Sequence, residues 1–113
     1  MKSLTVFTPS FNRAHLLPRI YESLKIQTCQ DFIWLIIDDG SADDTRQVVS
    51  AFIAENKVEI QYIEQENQGM HGAHNTAYEN INTPLNTCID SDDFMPVDAV
   101  EKILDKWKSV ADK

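Results

Sequence analysis

Hydrophobic and polar positions follow two periodicities along the chain, and the pair repeats four times. Short runs rich in β-branched and aromatic residues, or with apolar residues at every second position, indicate strands. Each run precedes a segment whose apolar residues recur every three or four positions, as on one face of a helix. The four strand-like runs are Leu4 to Thr8, Phe32 to Ile37, Val58 to Tyr62 and Leu85 to Ile89.

The helix-like segments carry recognisable starting signals. Pro18 suits the first turn of a helix that runs through Leu24. Ser41 and Asp44 fit a capping box for the second helix. The third helix is predicted from about Gly72, and the fourth has an apolar stripe that runs to Trp107. The predicted order is therefore β-α-β-α-β-α-β-α.

This alternation, with short connections, predicts the α/β class. We expect a Rossmann-like open, mostly parallel sheet of about four strands with flanking helices. The continuously apolar run Phe32 to Ile37 suits a central strand that is buried on both faces. A length of 113 residues suits one domain, residues 1–113. Ligands of such sheets bind beyond the carboxyl ends of the strands, where the polar segments of this sequence fall.

Composition and charge narrow the classes of partner. The 42% hydrophobic and 25% charged residues are ordinary for a globular protein, and no apolar run approaches the ~20 residues of a transmembrane helix. We therefore expect a cytoplasmic protein with no transmembrane segment. A net charge of −8 argues against nucleic acid binding and implies that a phosphate-bearing ligand needs a cation as intermediary.

Cys29 and Cys88 lack metal-ligand spacing, and Cys88 is predicted to be a buried small hydrophobe.

Two acids follow the second predicted strand, in the segment IIDDGS. Gly40 would supply a tight turn and Ser41 a helix cap. For Asp38 and Asp39 two interpretations stay open. A carboxylate at a strand end accepts hydrogen bonds from backbone N–H groups, or from the ring N–H of a pyrimidine base.

Three acids follow the fourth predicted strand, in the segment DSDD. An EF-hand fails because Phe94, Met95 and Pro96 stand where the calcium loop needs other residues, including a glycine. A solvated cluster at a helix start remains an alternative. The spacing of Asp90 and Asp92 also suits Mg²⁺ or Mn²⁺, which are bound by one or two carboxylates together with substrate phosphates.

The two histidines in the third loop do not predict a zinc site. His71 and His74 stand three apart, but no third ligand of suitable spacing follows them.

The segments TPSFNR, IIDDGSADDT, NQGMHGAHN and IDSDD, in this order, resemble the nucleotide-sugar-binding half of family 2 glycosyltransferases with the GT-A fold. The resemblance covers essentially the whole chain. It implies a hexosyltransferase-type enzyme that transfers a sugar from a nucleoside diphosphate sugar, with a UDP-sugar favoured, to an acceptor hydroxyl. The transfer is implied to invert the configuration at the anomeric carbon. The residues implied to bind the nucleotide are Thr8, Pro9, Phe11, Arg13, Asp39, Gly69, His74, Asp90 and Ser91.

The resemblance also implies roles within that set. Asp39 would bind the base, most familiarly uracil. Asp90 and Asp92 would hold Mn²⁺ or Mg²⁺ at the diphosphate, with Asp93 in support. The sequence departs from the family pattern at Met70 and His74, where basic residues are common, and this leaves the identity of the donor open.

Family members usually continue for about another hundred residues. The saccharide or lipid-linked acceptor site and the general base are therefore expected beyond Lys113, and the 113-residue chain alone is expected to be inactive. Peripheral attachment to the inner face of a membrane and self-association through uncovered apolar surface are further expectations.

The alternative from another class is a non-catalytic α/β nucleotide-binding or receiver-like signalling module. A receiver needs a lysine after the third strand, and no lysine occurs between Lys57 and Lys102.

Overall fold

The computed structural model describes residues 2–111, and strands alternate with helices throughout. The strands are β1 (Leu4–Ser10), β2 (Phe32–Asp38), β3 (Ile60–Glu64) and β4 (Leu85–Cys88). The helices are α1 (Leu17–Lys25), α2 (Thr45–Glu55), α3 (Gly69–Asn80) and α4 (Ala99–Ala111). The predicted number, type and order of elements are confirmed. The third strand begins two residues later than expected, at Ile60, and the third helix begins three residues earlier, at Gly69.

The four strands form one parallel sheet in the order β3-β2-β1-β4. β1 and β2 pair from Leu4 opposite Phe32 to Ser10 opposite Asp38. The chain therefore steps in one direction from β1 to β3 and then crosses back to place β4 on the other side of β1. In open parallel sheets, ligands bind beyond the carboxyl ends of the strands at such a reversal of strand order.

Helices cover both faces of the sheet, as predicted, but unequally. The larger core lies on the face covered by α1, α2 and α4. There Trp34 is fully buried, and the ring of Tyr21 stacks on that of Phe52 at 4.0 Å between centroids. On the opposite face α3 presents the small residues Ala73 and Ala77 to the sheet. Small side chains allow this helix to lie close to the strands, beside the crevice.

β4 differs from its prediction. It lies at the edge of the sheet and ends at Cys88, so that Ile89 belongs to the following loop. Cys88 is exposed, and the prediction that it is a buried small hydrophobe is wrong. The reason is that β4 has a partner strand on one side only, and its residues alternate between partly buried and exposed positions.

The capping-box prediction for α2 is also wrong. The helix begins at Thr45, the residue before it is Asp44, and no side chain caps it at that position. Ser41 lies in the preceding loop, where its hydroxyl accepts a hydrogen bond from the backbone N–H of Asn12 at 2.9 Å. The hydroxyl therefore joins two loops and does not start a helix.

Among residues 2–111, no helix is both long enough and apolar enough to cross a lipid bilayer.

Candidate functional site

The loops that follow the four strands meet at one cavity of about 260 Å³. Its lining combines residues that are far apart in sequence, as expected for the carboxyl edge of a parallel sheet. The lining residues are Pro9, Ser10, Phe11, Arg13, Asp39, Asn67, Gly69, Met70, Ala73 and Ser91. We call this space the crevice cavity. The convergence of the four polar segments on one edge of the sheet is therefore confirmed.

Asp39 is the acid that reaches the crevice cavity, and it is only 4% exposed. Its Oδ1 accepts hydrogen bonds from the side-chain amide of Gln65 at 2.8 Å and from the backbone N–H of Gln68 at 2.9 Å. Its Oδ2 accepts one from the N–H of Gly69 at 2.9 Å. A carboxylate has about four acceptor positions, so Oδ2 keeps one for a further donor. Asp39 thus binds the N-terminus of α3 and retains capacity for a ligand.

Asp38 points away from the crevice cavity, although it is adjacent in sequence and equally buried. Its Oδ1 accepts the N–H of Ser41, and its Oδ2 accepts the hydroxyl of Tyr62. Burial raises the pKa of Tyr62, and the hydrogen bond to the Asp38 carboxylate raises it further. The two acids of IIDDGS therefore have separate roles, since successive side chains of an extended chain point to opposite sides. Asp38 holds the loop and β3, and Asp39 faces the cavity.

Reciprocal hydrogen bonds join the loops that follow β1 and β2. The side-chain oxygen of Asn12 accepts the N–H of Ala42 at 2.7 Å, complementing the bond from Asn12 N–H to Ser41. Asp43 accepts the N–H of Ala14 at 3.1 Å and both the N–H and the hydroxyl of Thr45. Burial alone would raise the pKa of Asp43, but the hydrogen bonds from Thr45 and Ala14 outweigh it, so the pKa is lowered. These bonds hold one wall of the crevice cavity in place.

Gly40 allows the β2 loop to approach the β3 loop closely. Its φ of +80° is in the left-handed region, which glycine adopts at no steric cost. A Cβ at this position would lie 2.8 Å from the backbone nitrogen of Asn67, which lines the cavity. The turn predicted at Gly40 is present, and it also sets the distance between two walls of the site.

Phe11, Arg13 and Gly69 lie in the lining of the crevice cavity. Phe11 is 46% exposed, so an aromatic face is open to a ligand. Arg13 is exposed and forms no salt bridge within residues 2–111, which leaves its guanidinium free for an anion. Gly69 has a φ of +79° and open space where a Cβ would be. The cavity therefore combines an aromatic surface, a cation and a buried carboxylate.

Thr8 and His74 lie outside the lining. Thr8 is fully buried, and its hydroxyl accepts the indole N–H of Trp34 at 2.9 Å. The Nδ1 of His74 lies 2.9 Å from the carbonyl of Met70, and because a carbonyl only accepts, Nδ1 carries the proton. Its Nε2 faces the thiol of Cys88 at 3.9 Å. In this arrangement the Thr8 hydroxyl is bound to Trp34 of β2, and His74 of α3 faces Cys88 of β4.

The acids after β4 stand beside the cavity and not within its lining. Ser91 lines it, whereas Asp90, Asp92 and Asp93 are exposed. Asp93 donates its backbone N–H to the carbonyl of Asp90, and its carboxylate accepts the N–H of Phe94. Within residues 2–111 none of these three acids forms a salt bridge, and no group of three metal-binding side chains is assembled.

The carboxylates of Asp90 and Asp92 fit a hard divalent cation. Within residues 2–111 the one side-chain hydrogen bond of this pair is a weak one, from the Cys88 thiol to Asp90 at 3.9 Å. Their oxygens are therefore open, and carboxylate oxygen is the ligand type that Mg²⁺ and Mn²⁺ prefer. Two carboxylates leave most coordination positions for other donors, such as phosphate oxygens. The donor set is compatible with the predicted metal but does not by itself form a complete site.

Four lining residues were not predicted: Ser10, Asn67, Met70 and Ala73. Ser10 follows Pro9 inside the segment TPSFNR, so its membership of that segment indicates its place at the site. Asn67, Met70 and Ala73 lie inside the segment NQGMHGAHN, and the place of Ala73 in the cavity results from the packing of α3 on the sheet.

The fold and the cavity together define an α/β domain with a cavity at the carboxyl edge of a parallel sheet. The sequence matches the family model for glycosyl transferase family 2 over residues 5–112. The chain therefore belongs to glycosyl transferase family 2, a family of transferases. This membership decides against the receiver-like alternative.

The curated relatives include a synthase, a polymerase and several glycosyltransferases. The chain is 35% identical to chondroitin synthase of Escherichia coli over 105 residues, which are 93% of this chain and 15% of that protein. It is 31% identical to the GalNAc(5)-diNAcBac-PP-undecaprenol beta-1,3-glucosyltransferase of Campylobacter jejuni over 108 residues, 94% of this chain and 35% of that enzyme. The chain thus spans from about a seventh to about a third of the length of these relatives.

Solved structures support the fold. TarS 1-349 of S. aureus, in complex with UDP-GlcNAc, matches with a TM-score of 0.84 at 24% identity, over 93% of this chain and 30% of that chain. The mannosyltransferase PcManGT of Pyrobaculum calidifontis, in complex with GDP-Man and Mn²⁺, matches with a TM-score of 0.77 at 23% identity, over 82% of this chain and 28% of that chain. The predicted GT-A type of α/β fold is confirmed.

Proposed function

We propose that this domain binds a nucleoside diphosphate sugar, with a UDP-sugar favoured, as the donor site of an inverting glycosyltransferase. The observation that carries the proposal is the convergence of all four strand-end loops on one cavity, into which the buried Asp39 keeps an open acceptor position. Support comes from family membership and from the nucleotide sugars bound by the structural neighbours, UDP-GlcNAc in TarS and GDP-Man in PcManGT.

Asp39 would select the base. The open position on its Oδ2 requires a hydrogen-bond donor, and the ring N–H of uracil is one. Guanine also carries a ring N–H, whereas cytosine and adenine present a ring nitrogen lone pair that a carboxylate repels. The exposed face of Phe11 offers a surface on which a base can stack.

Arg13 would bind the diphosphate, and Asp90 and Asp92 would hold Mn²⁺ or Mg²⁺ beside it. A chain with a net charge of −8 repels a diphosphate, so a bound cation between the two sets of negative charges is the expected solution. When bound, the metal would act as a Lewis acid that neutralises the charge of the leaving diphosphate. Gly69 and Ser91, which both line the cavity, complete the nucleotide contacts in this proposal.

The acceptor site and the general base are assigned to parts of the protein beyond residues 1–113. A general base must lie within hydrogen-bond reach of the acceptor hydroxyl. In this proposal no acid among residues 2–111 takes that role. The acceptor class proposed is a saccharide or a lipid-linked saccharide, handled at the cytoplasmic face of a membrane. Sugar transfer is therefore expected only when this domain is joined to the acceptor-binding part.

Calorimetric titration with UDP, in the presence and absence of Mn²⁺, tests the proposal. We expect binding that weakens at least tenfold when the metal is chelated, and that loses this metal dependence in the variant Asp92→Asn. The matched control is Asp105→Asn, because Asp105 is an exposed acid on α4 outside the crevice cavity. Absence of binding by UDP and GDP, with and without metal, would refute the proposed function.

A further inference from the structure

The loop between β4 and α4, residues 89–98, carries the acids of DSDD, and hydrogen bonds hold it on both sides of them. We call it the acid loop. Before the acids, the backbone N–H of Ile89 donates to the carbonyl of Phe7 on β1 at 3.0 Å. After them, the backbone N–H of Met95 donates to the hydroxyl of Ser23 on α1 at 3.2 Å. The place of the acids relative to the sheet therefore depends on these two attachments.

Ser23 is a buried serine whose hydroxyl makes two hydrogen bonds. It is 8% exposed, and its Oγ donates to the carbonyl of Ile20 at 2.7 Å while it accepts the N–H of Met95. Close by, the backbone N–H of Thr28 donates to the carbonyl of Val97 at 2.9 Å. A buried N–H that loses its acceptor is unfavourable, so the Ser23 hydroxyl fixes where the acid loop crosses α1.

Gln27 fastens the end of the acid loop with both polar atoms of its side-chain amide. It follows α1 and is 5% exposed. Its Nε2 donates to the carbonyls of Ser23 at 3.0 Å and of Pro96 at 2.6 Å, and its Oε1 accepts the N–H of Val100 at 3.1 Å. Val100 lies in the first turn of α4, where N–H groups have no partner within the helix. Gln27 thus joins the C-terminus of α1 to the acid loop and to the start of α4.

Arg19 extends the same contact toward the acids. Its guanidinium carbon lies 4.5 Å from the centroid of the Phe94 ring, which is a cation–π distance. Phe94 directly follows Asp93, and its backbone N–H donates to the Asp93 carboxylate at 2.9 Å. Each of residues 94–97 is therefore held by α1 or by the turn that follows it.

This attachment matters for a cation, because like charges repel one another. Asp90, Asp92 and Asp93 are exposed acids within four positions, and their repulsion favours arrangements in which they lie apart. A loop that is fixed before binding loses less conformational entropy when two of its carboxylates converge on one ion. The helix α1 is a suitable base for such a loop, since Leu17 and Leu24 fix it in the core.

We propose that Ser23, together with Arg19 and Gln27, is a positioning residue for the metal-binding carboxylates. These three side chains hold the acid loop on α1, so that Asp90 and Asp92 stand beside the crevice cavity before a cation binds. The proposal rests on the proposed function, because the cation is the one assigned to the diphosphate. It gives α1 a role in metal binding through residues that touch neither the metal nor the nucleotide.

The test is a calorimetric titration of UDP into wild type and Ser23→Ala, once with excess Mn²⁺ and once with EDTA. The quantity compared is the metal ratio, which is the affinity with Mn²⁺ divided by the affinity without it. We expect Ser23→Ala to lower the metal ratio about three- to tenfold, as for one lost hydrogen bond, and to leave the affinity without Mn²⁺ unchanged. Ser23→Thr keeps the hydroxyl and should restore the ratio. Ser50→Ala is the matched control, since Ser50 is an exposed serine on α2.

Each contrary outcome has a distinct meaning. An unchanged metal ratio in Ser23→Ala would overturn the positioning role and leave the proposed function standing. An equal loss of affinity with and without Mn²⁺ would show a general disturbance of the cavity, which also overturns that role. Failure of the wild-type chain to bind any nucleoside diphosphate would overturn the proposed function, and the positioning role with it.

A second variant decides if Ser23→Ala does not fold. Phe94 is 47% exposed, so Phe94→Leu removes the ring beside Arg19 without opening the core. We expect Phe94→Leu to lower the metal ratio about two- to fivefold, the factor for one exposed cation–π contact. An unchanged ratio in this variant would overturn the proposal.

Discussion

Replacing Asp39 should destabilise the fold even when no ligand is bound. Its carboxylate accepts the amide of Gln65 and the N–H groups of Gln68 and Gly69 at the start of α3. In Asp39→Ala the two backbone N–H groups lose a charged acceptor in a buried position, and the N-terminus of α3 loses a favourable negative charge.

The magnitude follows from these contacts. A hydrogen bond to a charged group contributes about 1.5–3 kcal/mol, but neighbouring contributions do not add and water can enter the vacated space. We therefore expect Asp39→Ala to lower the free energy of unfolding by about 3 kcal/mol. At about 4 °C per kcal/mol for a domain of this size, the melting temperature should fall by roughly 12 °C. Asp39→Asn keeps one acceptor oxygen, so it should lower the free energy of unfolding by about half as much as Asp39→Ala.

Urea unfolding followed by tryptophan fluorescence measures this loss, since Trp34 lies in the core. The matched control is Asp44→Ala. Asp44 also precedes a helix, but it is exposed and makes no side-chain capping bond. Its replacement by alanine should therefore lower the free energy of unfolding by less than about 1 kcal/mol. A loss below about 1 kcal/mol in Asp39→Ala, or an equal loss in both variants, would refute the role of Asp39 as an anchor of α3. The result also decides how a loss of UDP binding in an Asp39 variant is to be interpreted.

Two further predictions concern the loops around the site. Gly40→Ala should lower the free energy of unfolding, measured with urea, by more than Gly69→Ala. Both residues have a positive φ, which costs alanine about 1–2 kcal/mol. A Cβ at Gly40 would in addition clash with Asn67, whereas a Cβ at Gly69 would contact no other atom within 4 Å. Equal losses would show that the close approach at Gly40 is easily relaxed. Asp43 has a lowered pKa in the folded state. Its contribution to the stability of the fold is therefore present above about pH 4, and it is lost as the pH falls through the folded-state pKa. Urea midpoints measured from pH 7 to pH 3 should therefore fall more steeply for the wild type than for Asp43→Asn, and parallel curves would contradict this.

The type and order of the elements were predictable because they depend on local spacing. The apolar run of β2 forms a strand that is one residue longer than predicted, and the apolar stripe that reaches Trp107 lies on a helix that continues to Ala111. Pro18 and Gly40 also act as expected, at a helix start and at a turn with positive φ. Each of these signals depends on residues within a few positions of one another.

The failed predictions share one cause, which is a partner that is distant in sequence. Ser41 was predicted to start α2, but Asn12, 29 residues away, takes its hydroxyl. Cys88 was predicted to be buried, but β4 lies at an edge of the sheet.

The sequence by itself determined the alternation of strands and helices, the α/β class, and the placement of polar segments at the ends of strands. It did so because side-chain periodicity and turn residues act over short distances along the chain. Tertiary structure decided the strand order β3-β2-β1-β4, which brings the loops together and directs Asp39 into the cavity and Asp38 away from it. Strand pairing and packing join residues tens of positions apart, and no local pattern specifies which of those pairs will form.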